Sequence, residues 1–205
     1  MNKVVVLRED QTTNGGDDAI SASEPYIVTV EIAGTVPILF HRWNCEAVAE
    51  KSKAAKGSAA KKTDNIESYL YRDDAGDICI PGEYIRGAII HAAKFQQDPR
   101  SPRKSAMDLF KAAIISLTPM ASVGKTDPDF LDTRRVMVQR QGVTRVRPAM
   151  KEGWRATFDL MVNLPEYVPP ILLRHVLDDA GRLVGIGDFR PTYGRFVVKH
   201  WSQRQ

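Results

Sequence analysis

The stretch IPGEYIRGAIIHAAKF, residues 80–95, decides the fold. Pro81 suits the first turn of a helix, where its fixed φ is already helical and its missing N–H is no loss. From there Tyr84, Ile85, Ala88, Ile89, Ala92 and Ala93 recur at the spacing of one helical face, while Arg86, Ile90 and Lys94 fall off it. Upstream, SYLYRDDAGDICIP sets two short apolar runs around Asp73-Asp74-Ala75-Gly76-Asp77. That cluster is turn chemistry, so a hairpin feeds directly into an amphipathic helix over 82–96.

Toward the N-terminus, Tyr26, Val28, Val30 and Ile32 alternate with Ile27, Thr29 and Glu31, which predicts a strand over 26–33. Residues 9–24 show no apolar period, and 1–24 read as a mobile arm before a single domain over 25–205. Between Lys51 and Lys62 lie five lysines and no acid, interrupted by Gly57-Ser58. This marks an insertion over about 41–68, either a solvated loop or a basic flap that orders on nucleic acid.

Toward the C-terminus, Ser101-Pro102 opens a second helical segment through Met107, Leu109, Phe110 and Ile114, followed by irregular chain over 119–133. Residues 98–133 thus read as a second insertion. Asp127, Asp129 and Asp132 are interrupted by Pro128 and Phe130 and lack the turn glycine of a calcium loop, so no metal is expected. RRVMVQRQGVTRVRPAM, residues 134–150, reads as a hairpin with Gln141-Gly142 at its tip, and 154–163 as an alternating strand. Pro169-Pro170 starts a helix over 169–181, and GIGDFRPTYG leads to a closing strand over 194–200. Without the insertions the order is βαββαβ. The fold class is therefore α+β, ferredoxin-like or RRM-like, a frame in which one sheet face can lie open to RNA.

Composition narrows the function. Of 205 residues, 43% are hydrophobic and 26% charged, which supports a core and excludes wholesale disorder. No apolar run reaches the ~18 residues of a membrane helix, and the first ten residues are too short on apolar sequence for a signal peptide. A cytoplasmic protein without membrane partners is expected. Cys45 and Cys79 show no CxxC or Cys/His spacing and read as reduced structural thiols. Residues 134–155 carry Arg134, Arg135, Arg140, Arg145, Arg147, Lys151 and Arg155 against Glu152 alone, the footprint of a polyanion partner. Arginine rather than lysine suits bidentate phosphate contact.

Two motifs stand at matching places in this order: Ile80-Pro81-Gly82-Glu83-Tyr84-Ile85-Arg86-Gly87-Ala88 at a strand-to-helix start, and Gly185-Ile186-Gly187-Asp188-Phe189-Arg190-Pro191-Thr192-Tyr193-Gly194-Arg195-Phe196 between the last helix and last strand. Together they resemble the RAMP superfamily of CRISPR-associated proteins, especially its Cas7-like backbone subunits. The resemblance implies an antiviral ribonucleoprotein subunit that holds single-stranded guide RNA without sequence preference and repeats head to tail along it. Other effector subunits would be its partners. It also implies that Arg86 meets the guide backbone, and it brings no cofactor.

The candidate RNA-binding residues follow. Gly185 and Gly187 permit close backbone approach and could present amides to phosphate, with Arg190 and Arg195 adding charge. The order helix–loop–strand excludes a dinucleotide fingerprint, which needs strand–loop–helix. Arg140, Arg145 and Arg147 around Gly142 would form a protruding basic finger, Arg134 and Arg135 are RNA-binding candidates beside them, and Trp43 could stack a base. His41 is the one candidate for catalysis, as general acid or base in a metal-independent RNA endonuclease, the role a histidine plays in the Cas6-like processing enzymes of the same superfamily. A phage single-strand-binding protein on the same frame is the third reading.

Overall fold

Alternating β-branched residues put Val28, Val30 and Ile32 on one side of the first strand, and all three are fully buried. The computed structural model describes residues 24–45, 49, 53, 65–138 and 141–204. The expected arm therefore lies outside the described residues except for its last one, Glu24, and the lysine-rich insertion lies almost wholly outside them. In chain order the elements are β1 (Tyr26–Gly34), β2 (Ile38–Leu39), β3 (Tyr71–Arg72), β4 (Ile78–Pro81), α1 (Gly82–Ala92), β5 (Gln97–Asp98), β6 (Ser101–Ser105), α2 (Met107–Ala113), β7 (Ile114–Ser116), β8 (Met120–Ser122), β9 (Phe130–Val138), β10 (Gln141–Met150), β11 (Arg155–Val162), α3 (Pro170–Asp179) and β12 (Phe196–Arg204).

The main sheet has the order β12-β1-β11-β7 with all neighbours antiparallel. With α1 and α3 this is the α+β, ferredoxin-like arrangement that the sequence predicts. Ile85, Ala88 and Ile89 of α1 and Leu173, Val176 and Leu177 of α3 share one core with Val28, Val30, Phe158 and Leu160 of the sheet. Each of these Val, Leu, Ile and Phe side chains, fully buried, contributes roughly 1.5–3 kcal/mol of transfer free energy.

The second strand of the frame is not the expected one. It is Ile114–Ser116, inside the stretch read as an insertion over 98–133. A strand of 3 residues straight after a helix is too short to show a period of two. The alternation over 134–147 is real, but it builds a separate ribbon of β9 and β10 that pairs with β2 through Ala149↔Leu39 and Met150↔Ile38. The helix expected from Ser101 is confined to Met107–Ala113, because residues 101–105 pair as β6 with β5. The stretch 119–133 is irregular only in part: Met120–Ser122 joins the hairpin of β3 and β4 as a third strand, and β9 begins at Phe130.

Candidate nucleic-acid interface

The glycine-rich loop packs by its backbone. Asp188 N–H donates to the Leu39 carbonyl at 2.9 Å, Gly194 N–H to Pro37 at 2.8 Å and Ile186 N–H to Gly194 at 2.9 Å. A Cβ on Gly194, whose φ is 72°, would fall 1.6 Å from the Ile186 oxygen, and one on Gly187 2.7 Å from the Leu39 oxygen. These glycines let the loop close on β2. Gly185 N–H is likewise spent on the Ala180 carbonyl at 2.8 Å. The expected amide cradle for phosphate is therefore largely consumed by internal bonds.

Asp188 organises what surrounds the loop. Arg147 Nε donates to its Oδ2 at 2.9 Å, and the Arg147 side chain is 5% exposed. The guanidinium also lies over the Tyr69 ring at 4.8 Å. His41 Nδ1 stands 3.6 Å from the same carboxylate oxygen, with its ring edge-on to Tyr69 at 5.1 Å. Arg147 is thus a buried strut, its guanidinium packed on a ring and paired inside the fold. Arg134 is similar. It bonds Asp132 through two nitrogens and the Tyr193 hydroxyl at 2.6 Å, and lies between the Phe189 and Tyr193 rings at 4.7 Å from each. The Asp132 carboxylate first, then the Tyr193 hydroxyl, hold its proton more firmly than usual, against the pull of burial.

Arg86 is also engaged internally. Its Nε donates to the Ile114 carbonyl at 2.8 Å and another nitrogen to the Lys111 carbonyl at 2.9 Å, with Glu83 at 3.3 Å. It caps the last turn of α2, where a cation meets carbonyls that have no helical partner. Its charged donors are spent largely on this clamp.

The cross-strand register divides the ribbon arginines. Arg145 pairs opposite Arg134, and Arg147 opposite Asp132, so these share the face turned to the loop. Arg135 pairs opposite Thr144 on the other face, is exposed, and crosses Gly142, where a Cβ would lie 2.3 Å from its Nε. Arg140 lies outside the described residues. Arg190 and Arg195 are exposed, and Trp43 is 70% exposed. Arg195 borders a different cavity from Arg190, so the structure does not bring these two together.

The open face of the main sheet presents Ile27, Thr29 and Glu31 from β1 and Arg155, Thr157, Asp159 and Met161 from β11. None is aromatic. Asp159 accepts from Thr29 at 2.6 Å and from Arg204 at 2.7 Å, and Arg155 pairs with Glu31 at 2.6 Å. A face tied up in ion pairs, whose ring is the exposed His200 of β12 opposite Glu31 and which carries no Phe, Tyr or Trp among its paired residues, does not offer the several stacking aromatics of an RRM. The aromatic and basic groups gather instead around the loop: Arg42 over the Tyr71 ring at 5.3 Å, and Tyr71 edge-on to Tyr84 at 6.0 Å. Burial, then the Tyr71 hydrogen bond, raises the Tyr84 phenol far above its ordinary range. Sequence reasoning missed Asp188, Tyr69, Tyr71 and Arg42 because nothing local links residues 42, 69, 71 and 188. The one available signal was an acid within a loop otherwise charged by arginine. Among the described residues, no cluster of three His, Cys, Asp or Glu side chains is placed to hold a metal, and no helix is long and apolar enough to cross a membrane.

No protein-family model and no curated protein matches this chain. Among solved structures, a chain of the cryo-EM structure of type III-B Cmr-beta bound to cognate target RNA shares its fold, at a TM-score of 0.53 and 14% identity. The similarity covers 89% of this chain and 61% of that one, so this chain spans about three fifths of its neighbour's length. At that identity the likeness establishes a common fold.

Proposed function

We propose that the protein is a RAMP-type, Cas7-like subunit that grips the backbone of single-stranded RNA, a guide strand, and repeats head to tail along it in a CRISPR-like ribonucleoprotein. The observation that carries this reading is the set of exposed cations, Arg135, Arg190 and Arg195, which meet no carboxylate among the described residues, with the exposed Trp43, on a body of this fold. The RNA-bound state of the Cmr-beta neighbour supports the same class of ligand. Cations left unpaired at a surface suit phosphates, and a projecting indole suits a base.

The test is filter binding of unrelated single-stranded RNAs across a salt series. Affinity falls with salt by a slope of about −0.7 per neutralised phosphate, and Arg135→Ala makes that slope shallower. Trp43→Ala weakens binding by ~1–3 kcal/mol per lost stack. Longer RNAs take up more copies, read as stepwise mass in light scattering. Absence of RNA binding at low salt overturns the proposal.

One geometry favours the second reading. His41, with a 39% exposed side chain beside the Asp188 carboxylate, has the form of an oriented acid–base histidine. Cleavage of labelled hairpin RNA in EDTA, lost in His41→Ala, would establish an endonuclease instead.

A further inference from the structure

Where the C-terminal end of α1 faces the loop, an open cavity of about 450 Å³ is bordered by His91, Lys94, Leu183, Val184 and the chain from Gly187 to Pro191. This is the size range of small-ligand sites. Its charge is positive. Arg190 meets no carboxylate among the described residues, and the Lys94 ammonium lies over the Phe95 ring at 4.7 Å with no acid beside it. The one acid on the wall, Asp188, is already compensated by Arg147 at 2.9 Å. Leu183, Val184 and Pro191 supply an apolar side.

His91 adds a directional preference. Its Nδ1 lies 2.7 Å from the Gly87 carbonyl, which can only accept, so Nδ1 carries the proton. In the neutral ring Nε2 is then a bare acceptor. A phosphate oxygen has no proton to give it, whereas a sugar hydroxyl does. We infer that this cavity seats one ribonucleotide of a bound strand, its phosphate on Arg190 and Lys94 and its ribose 2′-hydroxyl donating to His91 Nε2. The inference rests on the RNA-binding reading and gives it a specific site and a basis for choosing RNA over DNA, since only RNA carries the 2′-hydroxyl.

The experiment compares a single-stranded RNA with the DNA of the same sequence, using the full chain. The unaltered protein prefers RNA. Arg190→Ala and Lys94→Ala each make the log–log salt slope shallower by about 0.7 for both strands. His91→Ala weakens RNA binding more than DNA binding and brings the RNA-to-DNA ratio toward one. All three positions border open space, and an unchanged thermal midpoint confirms the fold of each variant. If the protein binds RNA but the three variants match it, or if it shows no preference for RNA, the seat is overturned and the binding reading stands. If the protein binds neither strand, the binding reading itself falls.

Discussion

Arg147 and Asp188 stand 41 positions apart in sequence and meet at 2.9 Å, with the guanidinium sealed beneath the Tyr69 ring. This pair joins the ribbon to the glycine-rich loop, and its energetics follow from burial. Arg147→Met leaves the Asp188 carboxylate without its main partner and costs about 2–4 kcal/mol, less than the full penalty for a buried charge because Asp188 is partly open to water. Adding Asp188→Asn recovers part of that loss. Urea unfolding of the four-membered mutant cycle measures the coupling.

Arg86→Ala destabilises the fold by about 1–2 kcal/mol, since two carbonyls at the end of α2 lose a charged donor. Arg86→Lys does not restore it, because one ammonium cannot reproduce the two-pronged contact with Lys111 and Ile114. RNA affinity per folded molecule is unchanged in both. A loss of affinity at equal stability would return Arg86 to the interface.

Gly194→Ala abolishes stable folding, because the added carbon collides with the Ile186 carbonyl at a backbone φ of 72°. Gly76→Ala is the control. It shares a positive φ, of 86°, but meets nothing within 4 Å, so it costs only the conformational strain of about 1–2 kcal/mol. Thermal unfolding separates a collision from strain alone.

Asp129 makes stability depend on pH. The Lys125 ammonium at 2.6 Å and then the Lys151 backbone N–H at 2.8 Å hold its carboxyl below the ordinary value of 3.8. A depressed carboxylate stabilises the folded state above its unfolded value, and that contribution disappears as pH falls through the folded one. Asp129→Asn therefore unfolds with a shallower dependence on pH below about 4 and loses some stability at neutral pH. Circular dichroism melts from pH 7 down to pH 2 follow both effects.

The frame was legible where pattern and element coincide. Tyr26 to Ile32, the stripe from Tyr84 to Ala93 and the alternation from Ala156 to Val162 each declare their face, and each is found there. Ile114–Ser116 was not legible, since its place in the sheet is set by Met161 and Leu160 across the register and not by its own period. The site was legible as a composition of arginines. Its division was not, because whether an arginine is free or bound depends on distant acids and rings: Asp132 and Tyr193 for Arg134, Asp188 for Arg147, the end of α2 for Arg86.

Strand β1 sits between β12 and β11, and the Pro37 and Leu39 carbonyls receive amides from Gly194 and Asp188. The first-made part of the described chain is therefore completed only by the last-made part. During synthesis on a ribosome, the central strand waits for residues 155–162 to cover one edge and for residues near 200 to cover the other. Such high contact order places folding toward the millisecond-to-second end of the range and makes the nascent chain a client for chaperones.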